Sequence, residues 1–208
     1  MQITVFGASG KVGSRVVEEA LRRGYDVVAF VHSHNLFSPT GKLVVVQGDI
    51  YSASDVAKAL KGSGAVLSCL GSWGTPKKNV LTTAMHAILP AMREQQIERI
   101  VTLTGSGAAD PHARPGVVHR LLLRLLAPFP AGKVFRDGEE HLRLLAMSEL
   151  EWTSLRSPVM NNLGSSYALN LKPAKPWETI GRDSVAAAML DQLETATYVG
   201  QAPIIHRK

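Results

Sequence analysis

The chain has 208 residues, 45% of them apolar, and 23 Lys and Arg against 17 Asp and Glu give it a formal net charge of +6. That length and balance suit a domain with its own hydrophobic core and exclude disorder as the dominant state. The longest apolar stretches, such as Val117 to Pro130, are broken by His119, Arg120 and Arg124 well short of the ~20 residues that span a membrane.

Met1 to Phe6 reads as a strand, not as a secretory signal. A helix follows over Lys11 to Arg23, where Val12, Val16, Val17, Ala20 and Leu21 recur every three or four positions and Gly24 supplies the stop. Strands are predicted at Asp26 to Val31, Leu43 to Gln47, Ala65 to Leu70, Arg99 to Thr104 and Trp152 to Leu155. Helices are predicted at Ser54 to Lys61, Lys78 to Gln95, Val117 to Ala127, Asp137 to Met147 and Arg182 to Leu193. Apolar strands that each return through a helix mark an α/β fold, with a doubly wound parallel sheet buried on both faces. No internal repeat or linker divides it, so residues 1–208 are expected to form one domain.

Two stretches break the alternation. Gly107 to Val134 is rich in proline and carries the short apolar helix, and Asn161 to Thr179 contains Pro173 and Pro176. Excursions of this length after a strand's carboxyl end form lids or substrate lobes. From Pro111 to Arg136 there are five basic and no acidic residues, which read either as a solvated surface or as a positive lobe steering an anionic ligand. Nucleic acid is a poor partner for a chain with 6% aromatic residues and no helix-turn-helix or zinc-finger pattern. The single cysteine, Cys69, excludes an intramolecular disulfide and suits a reducing, cytoplasmic compartment. It lies at the end of an apolar strand, where a thiol is ordinarily inert packing.

Chemistry enters at Gly7-Ala8-Ser9-Gly10-Lys11-Val12-Gly13, where the first strand turns into the first helix. Gly7 permits a tight turn, Gly10 lets backbone approach a pyrophosphate, and Gly13 lets the helix pack closely on the strand. The helix N-terminus then offers unpaired N–H groups and a positive dipole end to phosphates. Gly7, Ser9, Gly10, Lys11, Val12 and Gly13 are therefore the expected dinucleotide-binding loop. At the end of the second strand, Phe30-Val31-His32-Ser33-His34-Asn35 offers no carboxylate to receive an adenosine 2′-hydroxyl. His32 is the candidate partner of a 2′-phosphate, which favours NADP over NAD, though modestly, because histidine's charge is conditional near neutrality.

Further landmarks follow in order: Gly48-Asp49-Ile50, Cys69-Leu70-Gly71, Trp152-Thr153-Ser154-Leu155-Arg156-Ser157-Pro158 and Ile180-Gly181-Arg182-Asp183-Ser184-Val185-Ala186. With the GxxGxxG loop, they resemble over nearly the whole chain the atypical branch of the short-chain dehydrogenase/reductase superfamily. That branch includes NmrA-like proteins and the flavin reductase/biliverdin-IX-beta reductase group. The resemblance implies that Asp49 and Ile50 lie near the adenine, that Cys69, Leu70 and Gly71 pass the adenosine ribose, and that Pro158 ends the late strand beside the cofactor. It also aligns His32 with an arginine of similar reductases.

The pattern departs where catalysis is expected. Typical members carry a serine and a Tyr-x-x-x-Lys pair, yet none of Tyr25, Tyr51, Tyr167 and Tyr198 has lysine four residues later. Thr104 and Ser106 are the candidates for the substrate-orienting hydroxyl; the alternative is that they only close the fifth strand. His141 reads as a helix-surface histidine more readily than as a proton donor, and no histidine has zinc-ligand company. The resemblance to the flavin and biliverdin reductases, which also lack the pair, implies hydride transfer from the nicotinamide to a conjugated acceptor, with the proton drawn from water.

The expected activity is therefore an NAD(P)H-dependent reductase of a flavin, quinone or similar small molecule, planar or anionic, acting as monomer or homodimer away from membranes. A non-catalytic NAD(P)H-binding sensor, as NmrA-like regulators imply, is the alternative. A nucleotide-sugar epimerase fits less well, since the chain leaves little room for a nucleotide-sugar domain.

Overall fold

The computed structural model describes residues 1–72, 79–110, 112, 121, 124, 125, 128–164, 166–175 and 177–208. The helix expected over Val117 to Ala127 falls almost wholly outside them. The elements in chain order are β1 (Gln2–Phe6), α1 (Gly13–Arg22), β2 (Asp26–Val31), β3 (Leu43–Gln47), α2 (Ala53–Leu60), β4 (Ala65–Ser68), α3 (Val80–Glu94) and β5 (Arg99–Gly105). Then come α4 (Pro130–Ala146), β6 (Glu151–Ser157), β7 (Val159–Asn161), β8 (Tyr167–Asn170), β9 (Thr179–Gly181), α5 (Arg182–Thr195) and β10 (Ile204–Arg207).

The main sheet has the order β3-β2-β1-β4-β5-β6-β10-β8. Its pairings are parallel except the last, in which β8 runs antiparallel to β10 at the edge. Alternation along each strand sends side chains to two separate cores. Ile3, Val5, Val27, Ala29, Leu67 and Val101 face α1 and α5. Phe6, Val28, Phe30, Val66, Ile100 and Trp152 face α2, α3 and α4. This is the doubly wound architecture that the alternating pattern predicts.

Four strands, β7 to β10, were not legible. The expected excursion over Asn161 to Thr179 contains β8, which joins the main sheet, and ends at the first residue of β9, which pairs in parallel with β7 as a separate ribbon. These strands have three or four residues and no apolar run. α4 also starts seven residues earlier than predicted, at Pro130, a residue favoured in the first turn because its missing N–H is unpaired there anyway. Gly138 obscured the pattern, yet α4 requires it: a Cβ there would lie 2.7 Å from Thr104 Oγ1 and 3.1 Å from Ala108 Cβ. α3 continues past Pro90, which is exposed.

A polar seam lies beneath α3 and α4. Asp137, only 4% exposed, accepts hydrogen bonds from the backbone N–H groups of Leu81 (3.1 Å) and Thr82 (2.9 Å) and from the Ser72 hydroxyl. Ser72 Oγ in turn accepts from Val80 N–H at 3.1 Å. A carboxylate on α4 thus satisfies orphan donors and complements the dipole at the start of α3. One turn on, His141 is fully buried, its Nε2 2.9 Å from Thr102 Oγ1, and Thr102 donates to Ser154 Oγ at 2.8 Å. The helix-surface reading of His141 is therefore wrong, because α4 presents that position to the sheet.

Burial lowers the His141 pKa from 6.5 to about 4, against the opposing pull of Asp137 and the Leu81 backbone. The unfolded chain consequently binds a proton that the folded one refuses between those values. The stabilisation is complete above pH 6.5 and is lost as pH falls toward 4, by up to about 3 kcal/mol. Urea unfolding at pH 7 and pH 4.5 should show a smaller acid-induced loss for His141→Gln than for the wild type. Equal losses would place the acid sensitivity elsewhere.

Candidate functional site

β1 sits between β2 and β4, the point at which the strand order reverses direction, and in open α/β sheets ligands occupy the crevice beyond the carboxyl ends there. The chain leaves β1 through Gly7 at φ +73°, a conformation that side chains resist. A Cβ on Gly7 would lie 3.1 Å from the Cys69 carbonyl and the Leu70 nitrogen. A Cβ on Gly13 would lie 2.1 Å from the Gly7 oxygen, so residue 13 has no room for one. Gly10 differs. Its N–H donates to Gly7 O at 2.9 Å, the residue is exposed, and an added Cβ would meet nothing but that oxygen, at 3.1 Å.

α1 begins with Val12 at its N-cap, with no capping side chain and no acidic residue in the first turn. Of its first N–H groups, that of Ser14 donates to the Gly10 carbonyl at 3.0 Å, and no acidic residue of the first turn offsets the dipole end. Lys11 is exposed beside it and Ser9 is half-buried. Arg15, one turn on, donates to the Lys11 carbonyl, to Asp183 Oδ1 (2.6 Å) and to Asn162 Oδ1 (3.5 Å), which also accepts from Arg182 at 2.6 Å. Its partners Asp183 and Asn162 stand far along the chain from Arg15 and leave no local signal in the sequence.

On the β2–β3 side, His32 and Ser33 are exposed, while Asn35 Oδ1 accepts from Phe37 N–H at 2.8 Å, leaving its amide group as the donor. Asp49 is exposed; its N–H donates to Asp55 Oδ2 (2.9 Å) and its Oδ1 accepts from Tyr51 N–H (3.0 Å), which fixes the carboxylate's direction. Ile50 is buried in the α2–α3 core. Gly71 is open, with nothing within 4 Å of an added Cβ, whereas Leu70 packs against the α2–α3 core. Burial pushes the Cys69 thiol up to about 12, and its sulfur lies 3.9 Å from Met189 Sδ, so it is packing and not a nucleophile.

Thr104 and Ser106 stand at the carboxyl end of β5. Thr104 is 7% exposed, with its hydroxyl turned toward Gly138 of α4, while Ser106 is half-buried and its N–H donates to Ser157 O at 2.8 Å. Pro158 is buried next to them, its carbonyl accepting from Ser157 Oγ at 2.9 Å. Arg156 is structural: its buried guanidinium donates to the carbonyls of Ala202 (2.7 Å) and Ala108 (3.1 Å) and approaches Asp110 Oδ2 at 3.5 Å. Three tyrosine hydroxyls are engaged elsewhere: Tyr25 donates to Glu194 (3.3 Å), Tyr167 to Asp191, and Tyr198 to the Leu169 carbonyl (2.8 Å). Burial and neighbouring carboxylates raise the pKa of Tyr25, Tyr51 and Tyr167. Among the described residues no cluster of three or more His, Cys, Asp or Glu forms a metal site, and no helix is long and apolar enough to cross a membrane.

The helix N-terminus without a capping side chain, Gly13, which cannot carry a side chain, and the exposed Gly10 fit the pyrophosphate of a dinucleotide. Solved structures share the fold. ChuY, described as an anaerobillin reductase, from Escherichia coli O157:H7 superposes with a TM-score of 0.77 at 21% identity, over 100% of this chain and 97% of that one. A wide-type short-chain dehydrogenase/reductase from Veillonella parvula DSM 2008, in complex with NADP, gives 0.76 at 17% identity, over 99% and 94%. The uncharacterized protein YwnB of Bacillus subtilis (strain 168) is 24% identical over 108 residues, 52% of this chain; the chain thus spans about half the length of that curated relative, 49% of it. A family model described as NAD(P)H-binding matches residues 7–196, from the turn glycine to the first residue after α5, in agreement with the atypical short-chain dehydrogenase/reductase resemblance. The chain belongs to that NAD(P)H-binding family.

Proposed function

We propose that the protein is an NADPH-dependent cytoplasmic reductase of a small conjugated acceptor such as a flavin or quinone, built as one domain. The observation that carries this reading is the N-terminus of α1, without a capping side chain, at the β1–β4 switch point, with Gly10 exposed beside it. The reductase activity printed for ChuY adds support for the reaction class. In this reading the N–H groups around Ser9 to Gly13 hold the pyrophosphate, Lys11 adds charge, and Cys69, Leu70 and Gly71 supply backbone beside the ribose. Asp49 faces the adenine end with Ile50 buttressing it from the core, His32 meets the 2′-phosphate, and Pro158 bounds the opposite end. NAD is the weaker ligand.

When bound, the nicotinamide supplies the hydride. Ser106, with Thr104 behind it, orients the acceptor. The proton comes from water, because a conjugated acceptor delocalises the negative charge left by hydride addition and needs no strong acid. The engaged tyrosine hydroxyls suit this account, and they equally suit a second reading, a dinucleotide sensor without turnover. Steady-state assays of NADPH oxidation with FMN, quinones and simple carbonyls separate the two.

Three outcomes are expected. Gly10→Val should fold, since the residue is exposed and its Cβ would press only on the Gly7 carbonyl, but lose about a hundredfold in NADPH affinity by calorimetry, roughly 2.7 kcal/mol. Unchanged affinity in the folded variant removes the basis of the assignment. His32→Ala should cut the NADPH-to-NADH affinity ratio about tenfold and His32→Arg should raise it; an unchanged ratio places the 2′-phosphate elsewhere. No single Tyr→Phe change at 25, 51, 167 or 198 should slow turnover more than about tenfold, whereas a several-thousandfold loss at one of them would identify a general acid.

A further inference from the structure

The segment between β8 and β9 is anchored tightly to the sheet. His206 Nδ1 lies 2.9 Å from Glu178 Oε1, and its Nε2 lies 3.1 Å from the Lys172 carbonyl. Glu178 also accepts from the N–H groups of Arg207 (3.2 Å) and Lys175 (3.1 Å). β10 runs parallel to β6 with Ile204 opposite Arg156, which brings His206 level with Pro158. The anchor therefore stands at the carboxyl ends of the strands, the end that carries the dinucleotide crevice. From it the chain enters β9, whose Thr179 pairs with Val159 of β7.

Trp177, held next to this anchor, is 77% exposed, and Val159 and Leu163 are 71% and 65% exposed. A large indole left in water serves no core, and such apolar surface marks a binding site. Its surroundings are basic: Lys172, Lys175, Arg207 and Lys208 are exposed, and Glu178, the acid between β8 and β9, is occupied by His206. Strands spaced ~4.8 Å apart put β5 about 14 Å from β2 across the sheet, comparable to an extended dinucleotide, so an acceptor must lie beyond β5, toward β6 and the β7–β9 ribbon.

We propose that Trp177 is a specificity-determining residue that stacks on the ring system of a planar, anionic acceptor, with Val159 flanking the ring and Lys172 and Lys175 meeting its carboxylate or phosphate groups. This rests on the reductase reading and names the substrate class that the site selects. Offset stacking and ring burial favour a flat conjugated molecule over a small aliphatic carbonyl, which offers no face to an indole.

The test uses the full chain, with FMN and riboflavin as probes that share a ring and differ in phosphate. Trp177→Ala should raise the KM for both about tenfold and leave NADPH affinity unchanged, and Trp177→Phe should restore most of the loss. Lys172→Ala with Lys175→Ala should weaken FMN more than riboflavin. FMN titrated into the NADP⁺-loaded protein should quench indole fluorescence, and the quench should vanish in Trp177→Ala although Trp73 and Trp152 remain. Unchanged KM and quenching in Trp177→Ala overturn the inference while leaving the reductase reading intact. Binding and Trp177-dependent quenching without turnover of any acceptor support the platform and overturn the reductase reading. Absence of FMN and riboflavin binding to the loaded protein overturns the platform.

Discussion

The carbonyl oxygen of Gly7 occupies the space in which a side chain on residue 13 would begin, 2.1 Å from an ideal Cβ. The rest of the molecule depends on that contact. With no side chain between them, the end of β1 and the start of α1 meet backbone to backbone, and the left-handed turn at Gly7 brings the same segment against Cys69 and Leu70 at the end of β4. Helix, strand and neighbouring strand thus converge where the sheet changes direction, with the N-terminus of α1 at the crevice. On the proposed reading the crevice binds through backbone geometry, and side chains around it adjust affinity and selectivity.

The opposite face of the sheet shows how the site is held rigid. α3 and α4 are joined by a buried carboxylate, Asp137, whose acceptors are filled by two backbone N–H groups and a serine hydroxyl. A fully satisfied buried carboxylate rigidifies its surroundings, and loss of one partner leaves a charge stranded in a low dielectric. Ser72, one of those partners, directly follows Gly71, so the seam fixes the chain that leaves β4 toward the crevice. His141 continues the seam to Thr102 and Ser154 across β5 and β6. Because burial keeps it neutral above about pH 4, it serves as a hydrogen-bonding strut and not as a proton donor.

The missing tyrosine–lysine pair and the basic, partly apolar rim around β7 and β9 are consistent with one another. A site without a strong general acid is suited to acceptors that delocalise charge, and such molecules are flat. Exposed Trp177 and the surrounding lysines match a flat, negatively charged ligand better than a compact polar one. Arg15 links this rim to the phosphate loop, since it reaches Lys11, Asn162 and Asp183 together.

The sequence by itself determined the order of the principal strands and helices, the doubly wound α/β class and the position of the glycine-rich turn between β1 and α1. Those features are local: a strand's continuous apolar run, a helix's recurrence every three or four residues, and glycines fixed by the turn in which they sit. Tertiary structure alone decided that β8 closes the sheet antiparallel, that His141 is buried, and that Asp137 caps a helix 55 residues earlier in the chain. It also decided that Tyr167 and Tyr198 are tied to Asp191 and Leu169, and that Trp177 stands exposed at the carboxyl edge. Each of these depends on a partner from a distant element, and the energy of a hydrogen bond or a burial is set by what the fold brings alongside, which no window of neighbouring residues contains.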